Sequence, residues 1–317
     1  MREAIGTLTR RRRWIWPLLG ILLLWAALVV LTDRFSVYSL SGVATSAAFL
    51  LLPALGQMLV ITTGRGNIDL SLPSVVTLSA YLTIAVSGGR DAGVLPAFAA
   101  VLACGLVVGT CNALTVLVLR IPAMIATLAS GYILATATLV LNGVIRAAGS
   151  APSLVSATSG RLGPLPYIAI GAVLVAAACA VMLSFSSWGR KLAAVGQNPE
   201  AARLSGIKTR RVDASAFIAS SILASLTGFL LSGYAGDAFL EMGAPYLLQS
   251  VGAVVLGGTL ISGGAATTLG TAMGAFLLVM IVTTMQIAGL PVQDILQGTA
   301  IIAVLSLAGN RTQLRGR

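Results

Sequence analysis

The sequence predicts an all-α integral membrane protein of about ten transmembrane helices with both termini in the cytoplasm, and three observations predict it. Of its 317 residues, 57% are hydrophobic and 9% charged, against about 25% charged in soluble domains. The apolar residues fall in long runs, and a helix needs about 20 of them to cross a bilayer. The basic residues lie almost entirely in alternate connections between those runs.

The chain opens with a basic tail, residues 1–13, that ends in Arg10, Arg11, Arg12 and Arg13. A first span follows from Trp14 to Leu31 and runs into Thr32-Asp33-Arg34. It lacks a small-x-small cleavage site, so it reads as a retained helix and not as a signal peptide. Nine further spans run from Val43 to Thr63, Leu72 to Val86, Val94 to Leu119, Ile121 to Leu141, Tyr167 to Phe185, Ala214 to Tyr234, Leu247 to Ile261, Thr267 to Ile287 and Val292 to Leu307. The polytopic domain is residues 14–308, its one substantial internal loop 186–213, and a second basic tail, 309–317, completes the chain.

An even number of spans puts both termini on one side, and the arginine run places that side in the cytoplasm. On this reading 16 of the 20 basic residues are inside, and only Arg34, Arg90, Arg146 and Arg161 are outside. Leaving out one span scatters the basic loops over both faces. The net charge of +11 is therefore a topology signal and not a nucleic-acid footprint.

There is no histidine, which excludes Ser-His-Asp and Cys-His triads, zinc-metalloprotease helices and histidine proton relays. Cys104, Cys111 and Cys179 lie in apolar runs; the first two are two helical turns apart, about 10 Å by helix rise, too far to bridge. They read as small core residues, and no metal site is expected.

Two spans are short, the third and the eighth. If the chain is two halves of five spans, these are the third helix of each half, and an odd number per half sets the halves in opposite orientations. Paired short, glycine- or proline-interrupted segments point to a transporter's midplane, because an unwound turn at membrane depth must be packed in protein or line a wet cavity. Thr63-Gly64-Arg65-Gly66-Asn67-Ile68-Asp69-Leu70-Ser71 enters the third span and Pro73 suits its first turn. The segment is either a well-capped loop or a broken helix that brings Asn67 and Asp69 to the pathway or its gate. The eighth span carries Gln249, Ser250, Gly252, Gly257, Gly258 and Thr259, a glycine density that serves close helix packing or a narrow passage. The GxxxG spacings Gly105 to Gly109 and Gly270 to Gly274 arise readily by chance in such helices.

Other buried polar residues are Gln57, Asn112, Gln286, Gln293, Asp294 and Gln297. Groups of this kind face protein or water in lipid. The pathway or gate candidates are thus Gln57, Asn67, Asp69, Asn112, Gln249, Ser250 and Thr259. Amides both donate and accept, which suits a neutral polyhydroxylated solute. A charged solute needs a buried counter-charge, and only Asp69 and Asp294 come near to supplying one.

In the loop after the sixth span, Asn198 can cap a helix with Pro199 at its first position and Glu200 near its positive end. The helix covers Pro199 to Ser205, and Gly206 can end it. Such a helix either presses into a cleft of a cytoplasmic partner or belongs to a solvated basic loop that sets topology. The chain has no G-x-x-x-x-G-K-[ST] and so no P-loop of its own.

Gly196-Gln197-Asn198-Pro199-Glu200-Ala201-Ala202, with Gly206-Ile207 beyond it, resembles the coupling-helix motif of ABC importer permeases of the ribose and monosaccharide branch. The resemblance extends to Gly66-Asn67-Ile68-Asp69-Leu70-Ser71, to Ile121-Pro122-Ala123-Met124-Ile125-Ala126-Thr127-Leu128, and to Ala253 through Thr259 with Ser262-Gly263-Gly264. It departs at Tyr246-Leu247-Leu248-Gln249, where relatives carry acidic residues, and at Arg65-Gly66-Asn67. The resemblance implies an inner-membrane permease subunit that pairs with itself or a sister chain and carries a monosaccharide or related polyol. ATP and magnesium would be held by cytoplasmic ATPase subunits, and a periplasmic or lipoprotein sugar-binding protein would deliver the solute. The ATPase would dock on Asn198, Pro199, Glu200, Ala201, Ala202, Arg203 and Gly206, and the binding protein on Arg146, Arg161, Asp237 or Glu241. This chain would do no covalent chemistry. An ion-coupled secondary transporter of a small neutral solute and a non-transporting scaffold are the rival readings.

Overall fold

The computed structural model describes residues 15–32, 37–144, 149–287 and 289. Its helices are α1 (Ile15–Thr32), α2 (Val37–Thr62), α3 (Leu72–Ser87), α4 (Val94–Leu117), α5 (Ala123–Val144), α6 (Pro152–Ser159), α7 (Tyr167–Phe185), α8 (Ser187–Gln197), α9 (Pro199–Leu204), α10 (Thr209–Ala235), α11 (Tyr246–Leu256) and α12 (Thr268–Ile287). Stretches within α2, α4, α5, α7, α10 and α12 are long and apolar enough to cross a bilayer, and shorter apolar stretches lie in α1, α3 and α11. The protein is a helical membrane protein. The expected tenth span, both basic tails, Arg34, Arg146, Gln293, Asp294 and Gln297 lie outside the described residues.

Two features depart from the expected elements. The eighth span was expected to reach Ile261, yet α11 stops at Leu256, because Gly257 and Gly258 turn the chain and Gly258 takes a φ of +83°. Beyond α6, β1 (Arg161–Leu162) pairs antiparallel with β2 (Leu165–Pro166), a two-residue hairpin that the apolar pattern did not signal.

Helix α2 lies at the centre. Leu50, Leu52, Leu55, Met58, Leu59 and Ile61 along it are fully buried. It packs on α10, α11 and α12, while α10 packs on α2, α3 and α4. Helix α3 packs on α4 as α11 packs on α12. The packing is thus reciprocal around the α2–α10 pair, and no residue-level repeat announces it. Both GxxxG pairs sit at close backbone contacts: a Cβ on Gly109 would lie 2.6 Å from Ile218 Cα of α10, and one on Gly274 2.1 Å from the Ala253 carbonyl oxygen of α11. By contrast Leu106, Val107, Ile133, Val140, Val173 and Leu174 on α4, α5 and α7 face outward, as lipid-facing positions do.

The short helices begin deep in the bundle. Asp69, just before α3, is bonded to Ser220 of α10, eleven residues from the start of α10 and so about 16 Å along it at 1.5 Å per residue. Tyr246, the first residue of α11, packs with Leu72, Val75, Val76 and Ala224; Ala224 is eleven residues, again about 16 Å, from the other end of α10. Gly243 closes the gap, its N–H donating to Thr77 Oγ1 of α3 at 3.0 Å. The two half-helices thus start side by side near the middle of α10 and run in opposite directions, reached by the non-helical segments 63–71 and 236–245 from opposite ends of the bundle.

Replacing Gly109 by valine forces a side chain into the α10 backbone and should cost about 1–3 kcal/mol of stability. Gly171→Val, at an exposed site with nothing within 4 Å of a new Cβ, should change it by about 0.5 kcal/mol or less. Thermal unfolding of the detergent-solubilised variants compares the two.

Candidate functional site

Two regions gather the residues singled out by the sequence: the base of α3 and the α8–α9 segment. At the first, Asp69 is 1% exposed and its carboxylate accepts only from protein donors. Oδ1 takes the Ser71 N–H (3.0 Å) and the Ser71 hydroxyl (2.6 Å), and Oδ2 takes the Ser220 hydroxyl (3.0 Å). Asn112 Nδ2 of α4 donates to Ser71 Oγ at 2.9 Å, and Ser130 Oγ of α5 donates to Asn112 Oδ1 at 2.6 Å. Gln57 of α2, its amide oriented to satisfy both groups, donates to the Asp69 carbonyl (3.2 Å) and accepts from the Asp69 N–H (3.3 Å). Leu70 N–H donates to Thr127 Oγ1 at 2.9 Å. The bonds from Ser130 through Asn112 and Ser71 run in one connected chain to Asp69, which sits at the start of α3.

Three pathway candidates, Gln57, Asp69 and Asn112, therefore form one hydrogen-bonded hub that joins α2, α3, α4, α5 and α10. Asn67 stands apart, half-buried, with Nδ2 donating to Thr63 Oγ1 at 2.9 Å. Gln249 is half-buried on α11, and Ser250 is buried with its hydroxyl donating to the Leu247 carbonyl at 3.3 Å. Thr259 is buried, and its hydroxyl has no partner among the described residues. It follows the Gly257–Gly258 turn, and so does the equally unpartnered Thr271 in space, whose N lies 2.6 Å from where a Gly257 Cβ would stand. Ser71 and Thr127 fall within the sequence motifs, but Ser130 and Ser220 were not singled out by sequence; the Asp69–Ser220 bond spans 151 residues and leaves no local trace.

In the second region, Ser186 Oγ accepts from Gly189 N–H and starts α8, whose Leu192 and Val195 are buried while Arg190 and Lys191 are exposed. Asn198 Oδ1 accepts from the N–H of Glu200 (3.1 Å) and Ala201 (3.0 Å) and starts α9. Gly206 ends it at a φ of +80°. There Gly206 N–H bonds to the Arg203 carbonyl and Ile207 N–H to the Ala202 carbonyl, the paired bonds of a Schellman cap. Ala202 turns inward. Glu200, Ala201, Arg203 and Leu204 face out, Glu200 and Arg203 pair with each other, and Leu204 is 80% exposed. Sequence reading passed over Leu204, whose apolar character signals nothing until its exposure is known.

At the same end of the bundle Arg65 pairs with Asp213 of α10, and Trp188 Nε1 donates to Ser215 Oγ at 2.7 Å. At the opposite end Arg161, Asp237 and Glu241 are exposed, with Arg161 Nη1 donating to Ser41 Oγ at 3.3 Å; Arg146 lies outside the described residues. Among the described residues no cluster of Cys, Asp or Glu has the makings of a metal site.

Ser220→Ala removes one bond to a buried carboxylate and should cost about 1.5–3 kcal/mol. Asp69→Ala strands more of the hub and should cost more. Asn67→Ala, which loses a single neutral bond, should cost about 1 kcal/mol or less. Denaturation of the purified variants ranks the three.

A family model described as "Branched-chain amino acid transport system / permease component" matches residues 39–305. Among curated proteins, the Autoinducer 2 import system permease protein LsrC of Yersinia pseudotuberculosis serotype O:1b is 32% identical over 92% of this chain and 83% of its own length. The protein of the same description from Enterobacter sp. (strain 638) is 33% identical over 96% of this chain and 88% of its own. No solved structure matches the chain. With a family match over most of its length and relatives of this identity along nearly all of it, the chain belongs to the branched-chain amino acid transport system / permease component family.

Proposed function

We propose that this chain is the membrane permease subunit of an ATP-binding cassette importer and forms the path of a small, neutral, hydroxyl-rich solute of the monosaccharide or polyol class. The observation that carries the reading is α9: a helix capped at both ends, packed against the bundle through Ala202 and Ile207, and presenting Glu200, Ala201, Arg203 and Leu204 outward. A solvated loop needs neither two caps nor an exposed leucine; a helix that fits a partner's cleft needs both. Membership of a permease family and the import-system relatives support it.

On this reading the chain spans the bacterial cytoplasmic membrane ten times with both termini inside, in two inverted halves of five. It pairs with itself or a sister permease. ATPase subunits, which hold the ATP and magnesium, dock on Asn198 to Arg203 and Gly206. A solute-binding protein docks outside, on Arg146, Arg161, Asp237 or Glu241. The hub of Gln57, Asp69 and Asn112 fixes the base of α3 beside the path, with Asn67 at its inner mouth. Gln249, Ser250 and Thr259 lie along α11 and the turn after it, where the unpartnered Thr259 hydroxyl is available to solute or water. The neutral hydroxyls and amide of Gln249, Ser250 and Thr259 support a neutral solute.

The permease should co-purify with its ATPase subunits, and Leu204→Asp should weaken that association by about tenfold, the effect of about 1.4 kcal/mol. Glu200→Ala or Gly206→Ala in the assembled complex should lower uptake per ATP hydrolysed. Solute uptake by the permease alone in liposomes, or an assembled complex indifferent to all three substitutions, would overturn the reading.

A further inference from the structure

Where α8 ends, three separate stretches of chain meet backbone to backbone: the end of α2, the end of α8, and the turn between α11 and α12. Gly264 N–H donates to the Thr62 carbonyl at 3.0 Å, and Gln197 Nε2 donates to the Gly264 carbonyl at 3.2 Å. The contacts around these bonds leave no room for side chains. A Cβ on Gly196 would stand 1.9 Å from the Thr62 oxygen and 2.4 Å from Gly264 N, and one on Gly263 2.3 Å from Gly64 Cα. Side chains in contact yield by changing rotamer, but backbones pressed together move only as a body.

The other end of α8 is held as well. Trp188 is bonded to Ser215, three residues after Val212 in the first turns of α10, and Arg65, the residue after Gly64, pairs with Asp213. Helix α8 is therefore a short bar fixed at one end to α10 and at the other to α2 and the α11–α12 turn. Helix α9 begins at the second end, with only the cap Asn198 between it and Gln197. The glycine junction is what α9 meets on its N-terminal side. Through it α9 connects to the central helix and to the turn whose other flank holds Gly257, Gly258 and the unpartnered Thr259.

We propose that Gly196, Gly263 and Gly264, with Gln197, are positioning residues of ATP-driven transport: they form a rigid junction that carries displacement of α9 to α2 and to the α11–α12 turn. The proposal rests on the reading of α9 as the ATPase docking element. It assigns these residues a task separate from docking, since none of them belongs to the exposed face of α9.

The test follows movement of the turn itself and needs no solute. Ser262, in that turn, is exposed, so Ser262→Cys, with Cys104, Cys111 and Cys179 replaced by alanine, takes a maleimide probe. In the permease–ATPase complex its labelling rate should change at least threefold between no nucleotide and ATP with magnesium. Gln197→Ala, which removes one hydrogen bond at an exposed side chain, should cut that change to under 1.5-fold while ATPase association and basal ATP hydrolysis persist. Gln197→Lys, which restores a donor, should recover it, and Gly264→Ala should abolish it in whatever complex assembles. A nucleotide-dependent change that persists in Gln197→Ala overturns the junction, as does a parent complex in which the turn does not respond at all. Failure of the parent permease to bind ATPase subunits counts instead against the docking reading, which keeps the two failures apart.

Discussion

Inside a bilayer no water is available to an unpaired N–H or C=O, so a chain that leaves the helical path at depth must find protein partners for every group it exposes. The stretch from Gly64 to Ser71 does leave that path, and the rest of the architecture is arranged around satisfying it. Gln57 takes both backbone groups of Asp69, Thr127 takes the N–H of Leu70, and Asp69 itself accepts from Ser71 and Ser220. Five helices are thereby held to one point. Hydroxyl and N–H donors surround the Asp69 carboxyl group, and the start of α3 faces it. An ion pair at this depth would incur a larger desolvation cost.

The counterpart segment, 236–245, meets the same constraint more economically, by folding into turns. Met242 N–H bonds to the Phe239 carbonyl, Ala244 N–H to that of Glu241 and Tyr246 N–H to that of Gly243. One half-helix is thus anchored by several side chains from its neighbours and the other mainly by its own turns, with Thr77 of α3 bonding Gly243. An anchored half and a self-contained half differ in what they permit: the first fixes α3 against α10, whereas the second leaves α11 held mainly by packing and by the turn beyond it. That turn is also the one gripped by the end of α8, so the more loosely tied half is the one connected to the docking helix.

The spans were legible because bilayer crossing is a local property of about 20 consecutive residues, and nine of the expected runs coincide with helices. The bounds of α9 were legible for the same reason, since Asn198, Pro199 and Gly206 act within one turn of themselves. The two half-helices showed in the sequence only as short spans, and α3 and α11 are short. What connects the halves was not legible. Ser220 looks like any small residue in an apolar run, and the contact of Gly196 with Thr62 depends on two segments brought together by the whole fold. The GxxxG pairs show the limit from the other side: their spacing was visible, but only the partner helix distinguishes a contact from a coincidence.

The separation between Asp69 and Ser220 also bears on how the protein is made. Asp69 leaves the ribosome 151 residues ahead of its partner, a lag of roughly 8–30 s at bacterial elongation rates of about 5–20 residues per second. Asn112, Thr127 and Ser130 emerge in between, on α4 and α5, so the first half can gather a provisional set of partners before α10 enters the membrane. The hub is then completed from its early side to its late side, and its final bond closes only when the second half has arrived. The buried aspartate acts during synthesis as a place held open, and insertion of α10 ends the wait.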